Sequence, residues 1–524
     1  MAILPPFQKI IIDEAHHLED VATANLSTTI SKFRIVKLLG RLVNLKDTRK
    51  GLLQYLKSKF KEVSSVHDKD IAEKITDRIN TEILETRQLL YDTVQEIFED
   101  MSQAVSNYGR HTGLQKEAMK DEEIRLRITD SFVSTELWQD VIENQFRKLS
   151  ADTRRFVSCL TSLLDELAEL SKKSQDMLSS VLIDILSCKM RLKLVANEID
   201  SFVVKNEKVC KWIEMKKYAG EPVVRFCAAP LSVSEDLKTC LYDHYRTILL
   251  TSATLAINKT FTFFKESIGL HQIPEKQLSE LILDSPFDYQ RQSMLGIPTD
   301  IAEPGQPGYV SALETSILQA IEISEGRALV LFTSYSLLNN LYQRLESQIT
   351  RLGFVCLKQG AGSRHNLLEA FKKDTTSVLF ATDSFWEGID VRGDALECVI
   401  LTRLPFKVPT EPIIEARVEA IEKAGGDAFF QYSVPMAVIK FKQGFGRLIR
   451  SREDKGIVVV FDRRIVTKRY GRVFLQSLPD IRCIKDKKDV VFQEMRHFFG
   501  SDTAFSRQGK DMPSGKTTKY SLHK

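Results

Sequence analysis

The sequence predicts an α/β protein in which mostly parallel sheets are covered by helices and one long helical segment interrupts that pattern. Beyond residue 300, short apolar runs alternate with amphipathic segments, as they do in parallel sheets that carry helices on both faces. Between Phe7 and Glu221 there is no proline and glycines are few, which favours long helices over most of that range.

Composition sets the broad class. The 524 residues are 43% hydrophobic and 27% charged, which is ordinary for a globular chain of several domains. The net charge of +4 permits binding to nucleic acid but does not indicate it. No apolar run is long enough for a bilayer and the start lacks a signal-peptide pattern, so we expect a cytoplasmic protein without a membrane partner.

The first apolar run ends in two carboxylates. The short apolar run in Gln8–His17 predicts a buried strand whose tip carries Asp13 and Glu14 into a cleft. In phosphate-loop NTPases an Asp at such a tip holds Mg²⁺ and a neighbouring Glu activates the attacking water. For so short a stretch, a strand that merely ends in two solvated acids is an equally good interpretation.

The range Asp13–His16, Asp-Glu-Ala-His, resembles the DEAH box of superfamily 2 helicases, and its flanks, Leu4–Pro6 and His17–Asp20, resemble the DinG/XPD-like branch. The resemblance implies ATP and Mg²⁺ as cofactors, metal binding by Asp13 and Glu14, and catalytic roles for Asp13, Glu14 and His16. That branch has a GxxxxGK[ST] phosphate loop well upstream of its DEAH box, whereas a dozen residues precede Asp13 here. We therefore expect a chain that lacks the amino-terminal part of its first motor domain.

The eight cysteines show no CxxC and no ligand-like spacing, which predicts reduced thiols and argues against an iron–sulfur cluster in this chain. In relatives that carry such a cluster, its four cysteines lie upstream of the DEAH box.

The proline-free range has apolar residues at helical spacing on one side, which predicts helices that pack on each other. Its two stripes comprise Ile71, Ile75, Ile79, Ile83, Leu90, Val94, Ile97 and Met101, and Leu160, Leu164, Leu167, Leu170, Val181, Ile185 and Leu192. By resemblance, this all-helical insert occupies the place of the Arch domain. Val209–Ile213 and Val223–Cys227 then predict a hairpin that returns the chain to a sheet.

A second strand with a polar end follows the hairpin. Tyr245–Leu250 leads into Thr251 and the tripeptide Ser252–Thr254, whose end we expect near Asp13. The tripeptide resembles motif III of superfamily 2 helicases, which implies that Ser252 and Thr254 border the nucleotide and couple to motif II. A solvated strand end is the alternative for so short a motif.

Two loops of the later α/β unit resemble motifs IV and V. Thr333 and Ser334 follow the strand Ala328–Phe332 and by resemblance contact DNA phosphates, although Ser334 is equally well placed to cap a helix. The range Thr382–Asp390 follows the strand beginning at Val378, and its resemblance to motif V implies DNA contacts from Thr382 and Ser384 and nucleotide contacts from Glu387, Gly388 and Asp390. Phe385 and Trp386 fit packing better than base stacking.

Gln443–Arg450 matches the QxxGRxxR pattern of motif VI. Arg447 and Arg450 are three apart, which predicts one face of a helix, and a guanidinium is suited to phosphate oxygens. The resemblance implies that Gln443, Arg447 and Arg450 are catalytic and that Gly446 borders the nucleotide. Solvated surface arginines are the alternative.

The predicted architecture is two RecA-like P-loop NTPase-type domains, the first incomplete, with the Arch-like insert. We assign residues 1–24 and 206–300 to the first motor domain, 25–205 to the insert, 301–500 to the second motor domain and 501–524 to a disordered basic tail. Within the tail, Gly515–Thr517 imitates a phosphate loop, but five residues rather than four separate Gly509 from Gly515 and no strand precedes them.

The expected function is that of a DinG-type, ATP-dependent DNA helicase in DNA repair or replication, which moves 5′-to-3′ on single-stranded or forked DNA. Without a phosphate loop, the isolated chain should hydrolyse ATP poorly. The alternative is a catalytically inactive DNA-binding or interaction protein derived from a helicase.

Overall fold

The computed structural model describes residues 7–111, 123–218, 221–382, 385, 395–407 and 409–500. The strands, in chain order, are β1 Lys9–Ile12, β2 Thr28–Ser31, β3 Glu123–Arg127, β4 Val209–Tyr218, β5 Glu221–Pro230, β6 Thr247–Leu250, β7 Ser293–Pro298, β8 Ala328–Leu331, β9 Cys356–Lys358, β10 Val378–Ala381, β11 Cys398–Leu401, β12 Gly456–Val460 and β13 Arg482–Asp486.

The α-helices of the same residues are α1 Leu18–Leu26, α2 Lys32–Leu42, α3 Leu52–Phe60, α4 Val66–Arg78, α5 Leu84–His111, α6 Asp130–Val133, α7 Asn144–Ala168, α8 Lys172–Val203, α9 Ser234–Leu237, α10 Thr262–Ser267, α11 Tyr289–Gln292, α12 Tyr309–Ile323, α13 Tyr335–Arg351, α14 Arg364–Lys373, α15 Pro412–Lys423, α16 Val434–Phe445, α17 Arg464–Thr467, α18 Gly471–Gln476 and α19 Lys488–Gly500.

The chain divides into two compact units. One comprises Met1–His16, Leu241–Val408 and Ile421–Lys524, and the other comprises His17–Cys240 and Pro409–Ala420. The domain bounds assigned from the sequence stay predictions beside this division. None of the helices in the described ranges is long and apolar enough to cross a membrane.

The first unit contains a seven-stranded sheet in the order β13-β7-β12-β11-β8-β10-β9, and all of its pairings are parallel. Alternate residues of β8 enter two separate cores: Leu329 and Leu331 pack towards α14, α16 and α18, whereas Ala328 and Val330 pack towards α12, α13 and α19. The predicted parallel sheet with helices on both faces is therefore confirmed. β7 ends before the predicted boundary at residue 301 and nevertheless belongs to this sheet.

The same unit contains a second, two-stranded parallel sheet in which Lys9–Ile12 pair with Thr247–Leu250. The prediction that Lys9–Ile12 form a buried strand is wrong, because Ile11 is 70% exposed and Leu249, its pairing partner, is 54% exposed. β1 and β6 pair with no further strand among the described residues, so the faces of this small sheet are only partly covered.

The second unit is built around a bundle of helices. Of the two predicted stripes, all members are buried in one core except Ile71 and Leu164, which pack against it while partly exposed. The helices thus pack on each other as predicted.

The prediction of an all-helical insert is wrong, because the insert contains β2 and β3. These strands pair with the two sides of the predicted hairpin, now β5 and β4, and form an antiparallel sheet in the order β2-β5-β4-β3. Both added strands are short and pair at the sheet edges, and strands of four or five residues are too short for their period to stand out between long helices.

Candidate functional site

The predicted acid tip and the predicted motif III lie at the ends of two paired strands. The pairing continues past both strands, since Thr251 N–H donates to Ile12 O at 3.0 Å and Ala15 N–H donates to Thr251 O at 3.0 Å. Asp13 and Glu14 therefore leave the sheet beside Ser252, as the sequence predicted.

Glu14 has a backbone conformation that is uncommon for a residue with a side chain. Its φ is +49°, in the left-handed region, and its N–H donates to Asp13 Oδ1 at 2.9 Å. Such conformations cost of the order of 1–3 kcal/mol and concentrate at functional sites. The turn keeps both carboxylates exposed, with the Glu14 side chain 61% accessible.

His16 connects three of the predicted motifs. Its side chain is 6% exposed, and its Nδ1 lies 2.7 Å from Ser252 Oγ and 3.3 Å from Glu14 Oε2. Its other ring nitrogen, Nε2, lies 2.6 Å from Nε2 of Gln443, which is buried on α16. One imidazole thus joins the ends of β1 and β6 to the helix that begins motif VI.

The hydrogen bonds around His16 have one consistent assignment of donors and acceptors. The Gln443 amide N–H donates to His16 Nε2, which places the ring proton on Nδ1 towards Ser252 Oγ. Ser252 Oγ–H in turn donates to Glu14 Oε2 at 3.1 Å and accepts from Thr254 N–H at 3.2 Å. This chain of donors ends on the Glu14 carboxylate, the group that the resemblance predicts to be the base.

Lys442 is a residue that sequence reasoning missed. Its Nζ donates to Ala256 O at 2.8 Å, just beyond the motif III tripeptide, and burial lowers the pKa of its ammonium. The signal was a lysine directly before Gln443 on a mostly apolar helix. Lys442 and Gln443 therefore both tie α16 to loops at the ends of the two-stranded sheet.

The two arginines of motif VI do not lie on a helix, which corrects the prediction. α16 ends at Phe445, Gly446 is its exposed C-cap, and Arg447 follows in a turn. Leu448 and Ile449 are buried in the core beside α16, so the chain leaves the helix axis to pack them. Glycines at positions 444 and 446 weaken the helix at the same point.

Arg450 lies in a loop that Asp454 organises. Asp454 Oδ2 accepts from the backbone N–H of Arg450 at 2.7 Å and of Ser451 at 2.8 Å. The Ser451 hydroxyl donates to the other carboxylate oxygen at 2.8 Å. This turn, rather than helical periodicity, sets the backbone position of Arg450.

The remaining predicted site residues lie on the seven-stranded sheet or outside the described ranges. Ser334 caps α13, with its Oγ accepting from Leu337 N–H at 3.3 Å, and Thr333 is partly exposed beside it. Thr382 is 5% exposed, and Phe385 is buried in the core, which confirms packing for that ring. Outside the described residues lie Ser384, Trp386, Glu387, Gly388, Asp390 and the tail with Gly515–Thr517.

The donor set at the acid tip fits Mg²⁺. Among the described residues no three His, Cys, Asp or Glu side chains converge as a metal-binding cluster. Mg²⁺ is usually held through one or two carboxylates, with water and substrate phosphates completing the shell. The exposed carboxylates of Asp13 and Glu14 meet that requirement when a nucleotide supplies the phosphates.

Comparisons with known proteins agree with these motifs. Residues 317–481 match the family model described as "Helicase C-terminal domain". The chain is 38% identical over 325 residues to "ATP-dependent DNA helicase YoaA" of Haemophilus influenzae, an alignment that covers 59% of this chain and 49% of that protein. It is 30% identical over 489 residues to "3'-5' exonuclease DinG" of Bacillus subtilis, covering 91% of this chain and 49% of that protein.

This chain therefore spans about half the length of these curated relatives. Among solved structures, one titled "XPD_Helicase" matches over 91% of this chain and 68% of its own, with a TM-score of 0.46 and 15% identity.

Proposed function

We infer the function from the premise that this chain belongs to the DinG/XPD-like branch of the superfamily 2 helicases. We propose that it forms part of an ATP-driven motor that moves along single-stranded or forked DNA, 5′-to-3′, in the cytoplasm during repair or replication. The observation that carries this proposal is the hydrogen-bonded line from Gln443 through His16 and Ser252 to Glu14.

In this proposal the acid tip performs the chemistry. ATP bound with Mg²⁺ supplies the phosphoryl group and the charge that neutralises the developing phosphate. Asp13 would hold the metal and the exposed Glu14 carboxylate would take the proton from the attacking water. Ser252 O–H fixes Glu14 Oε2 in place, so the carboxylate is already oriented before substrate arrives.

The helix α16 would couple the state of the nucleotide at the acid tip to the seven-stranded sheet. Gln443 contacts His16, and Arg447 and Arg450 follow within a few residues, where an arginine would stabilise charge on the transferring phosphoryl. Such arginines contribute about 10³ to 10⁵ in rate. Movement of α16 changes the Gln443 contact and the arginine positions together, because the packed residues Leu448 and Ile449 join them.

Efficient hydrolysis would also require a phosphate loop, and these 524 residues contain no GxxxxGK[ST] sequence. The exposed apolar side chains of Ile11 and Leu249 leave a face of the two-stranded sheet that a further segment could cover. Among the described residues, β1 and β6 pair with no other strand, so further strands could also pair at the edges of this sheet. We propose that a loop-bearing polypeptide segment completes this sheet, and that the chain alone has little ATPase activity.

The test is ATP hydrolysis with and without such a segment. The purified chain is mixed with the polypeptide that precedes the DEAH box in a DinG relative, and hydrolysis is measured with single-stranded DNA. We expect DNA-stimulated activity from the mixture, a loss of about 10² to 10⁴ for Glu14→Gln, and no loss for the matched surface change Glu266→Gln. An active mixture that is indifferent to Glu14→Gln would exclude the assigned base.

A non-enzymatic DNA-binding protein is the second candidate, favoured by the lack of a GxxxxGK[ST] sequence. The same experiment separates the two: DNA binding without hydrolysis in any mixture supports the non-enzymatic protein. Rapid hydrolysis by the chain alone would contradict the need for a complementing segment.

A further inference from the structure

Arg417 connects two helices of the second unit that lie far apart in the sequence. It lies on α15 and is 5% exposed. Its Nη1 lies 2.6 Å from Glu19 Oε1, and its Nη2 donates to Thr23 Oγ1 at 2.9 Å. Its Nε donates at 2.9 Å to Leu231 O, just after β5. One guanidinium therefore contacts α1 at two positions, one helical turn apart, as well as the end of a strand.

The helix α1 depends on this contact because it buries little apolar surface. Of its nine residues, all of which the structure describes, only Glu19 is buried, and none belongs to the hydrophobic core of the second unit. A helix of this length is marginal alone and normally relies on an apolar face that packs on its neighbours. Here a buried carboxylate takes that place, and a buried carboxylate requires a cation beside it. The Arg417 guanidinium therefore anchors α1 to the unit.

The second unit holds α15 at two further positions. Arg127 of β3 donates through both Nη atoms to the carboxylate of Glu419, at 2.7 and 2.6 Å. The Cys210 thiol of β4 donates to Pro412 O, at the start of α15, at 3.2 Å. Arg417 therefore reaches α1 from a helix that is itself fixed on either side of it.

Both helices lie next to predicted motifs in the sequence. α1 begins two residues after His16, the last residue of the DEAH box. α15 lies between the predicted motif V, which ends at Asp390, and the predicted motif VI, which begins at Gln443. The left-handed conformation of Glu14 persists only where the surrounding structure determines it, and α1 is the first α-helix on its carboxyl side.

We propose that Arg417 is a positioning residue of the motor. By anchoring α1 to α15, it fixes the backbone that follows the DEAH box and keeps the Glu14 carboxylate directed at the attacking water. It acts through Glu19 and does not touch the nucleotide. The inference rests on the proposed function, and it adds a second connection, besides that of Gln443 with His16, between the DEAH box and the part of the chain that leads to motif VI.

The first test needs no hydrolysis. Amide hydrogen exchange in the second half of α1, residues 22–26, is measured in the full chain for the parent and for Arg417→Gln. Arg417→Gln removes the guanidinium from the buried Glu19, so these amides should exchange about 10- to 100-fold faster, as expected for the loss of a hydrogen bond between charged groups. The matched control is Arg41→Gln, whose exposed pair with Asp184 lies in the same unit and which should exchange as the parent does.

The second test separates the ion pair from general packing. Glu19→Gln, which also serves if Arg417→Gln does not fold, should loosen α1 to a similar extent, because either change removes one charge of the pair and leaves the other buried. The double variant contains neither charge, and its two amides can bond to each other. Its α1 exchange should therefore return towards the parent rate. Effects of the two changes that multiply in the double variant would show that Arg417 does not act through Glu19, and would overturn the inference.

The third test measures the effect on the reaction. DNA-stimulated hydrolysis is measured in the mixture with the loop-bearing segment. Arg417→Gln should lower kcat about 10- to 100-fold with little change in the KM for ATP, since a misplaced Glu14 impairs the chemical step and leaves nucleotide binding intact. The double variant with Glu19→Gln should recover part of this loss, and Arg41→Gln should match the parent.

The outcomes separate the two claims. If the parent mixture hydrolyses ATP and Arg417→Gln keeps the parent kcat, this inference is overturned and the proposed function stands. The same conclusion follows if α1 exchanges at the parent rate in Arg417→Gln. A parent chain that hydrolyses no ATP in any mixture overturns the proposed function and the positioning role together.

Discussion

The two parallel sheets of the first unit are built from strands of similar sequence, but they differ in how far their residues are buried. β1 and β6 are four-residue apolar strands with polar tips, as are β8 and β10. Every residue of β8 and β10 is buried, whereas every second residue of β1 and β6 is exposed. Apolar composition therefore predicts that a segment is a strand, but the number of neighbouring strands decides whether its residues are buried in a core.

The largest expected effect compares one substitution in the two sheets. Ile400 in β11 is fully buried and Ile11 in β1 is 70% exposed. Ile400→Ala should lower the free energy of unfolding by about 2–5 kcal/mol, because it leaves a cavity in close-packed surroundings. Ile11→Ala should cost less than about 1 kcal/mol. Urea unfolding of both variants measures the difference, and equal losses would mean that β1 is covered in solution.

A smaller effect is expected where the two-stranded sheet meets α16. Gln443→Leu leaves Nε2 of the buried His16 without its donor, which should cost about 1–3 kcal/mol in the free energy of unfolding. Gln476→Leu, at an exposed helix end, is the matched control and should be nearly neutral. An unfolding midpoint that does not change in Gln443→Leu would show that the contact does not form.

Lys442 adds a pH dependence to the same junction. Burial lowers its pKa in the fold, so between that pKa and about 10.4 in the unfolded chain the unfolded state binds more protons. Stability of the parent chain should therefore rise with pH across this window relative to Lys442→Met, which has no proton to lose. Urea unfolding of both proteins at neutral and alkaline pH measures this, and a parallel pH response would contradict the buried ammonium.

The smallest expected effect on the free energy of unfolding concerns the exposed face of the two-stranded sheet. A double variant, Ile11→Lys with Leu249→Lys, should change the free energy of unfolding by less than about 1 kcal/mol, since neither side chain is in a core. The same variant should lose hydrolysis when mixed with the loop-bearing segment, because two charges on this face would prevent the segment from covering it. Retained activity would place the segment elsewhere.

Much of the architecture followed from sequence because its signals are periodic. Continuous apolar runs between amphipathic segments predicted the strands that begin at Ala328 and Val378, which are β8 and β10. The order of the strands in the sheet was not predictable, since it depends on pairing between distant segments. β2 and β3 were missed because a strand of four or five residues is too short for its alternation to stand out between long helices.

Within the candidate site, the sequence identified the residues and placed the tripeptide Ser252–Thr254 near Asp13, but it did not predict the contact between Gln443 and His16. Glu14, Ser252 and Gln443 were found as parts of separate motifs, whereas their connection through one imidazole depends on how β1, β6 and α16 come together. Lys442 was missed because its contact with Ala256 O is made by one side chain across the fold.

The most direct test of the account is a double-mutant cycle on the rate of hydrolysis. The DNA-stimulated kcat is measured for the chain, supplied with the loop-bearing segment, as His16→Ala, as Gln443→Ala and as the double variant. If Gln443 acts on Glu14 through His16, the double variant should be no slower than the slower single variant. If the rate losses of the two single variants multiply in the double variant, Gln443 and His16 act independently. That result would contradict an action of motif VI on Glu14 through His16.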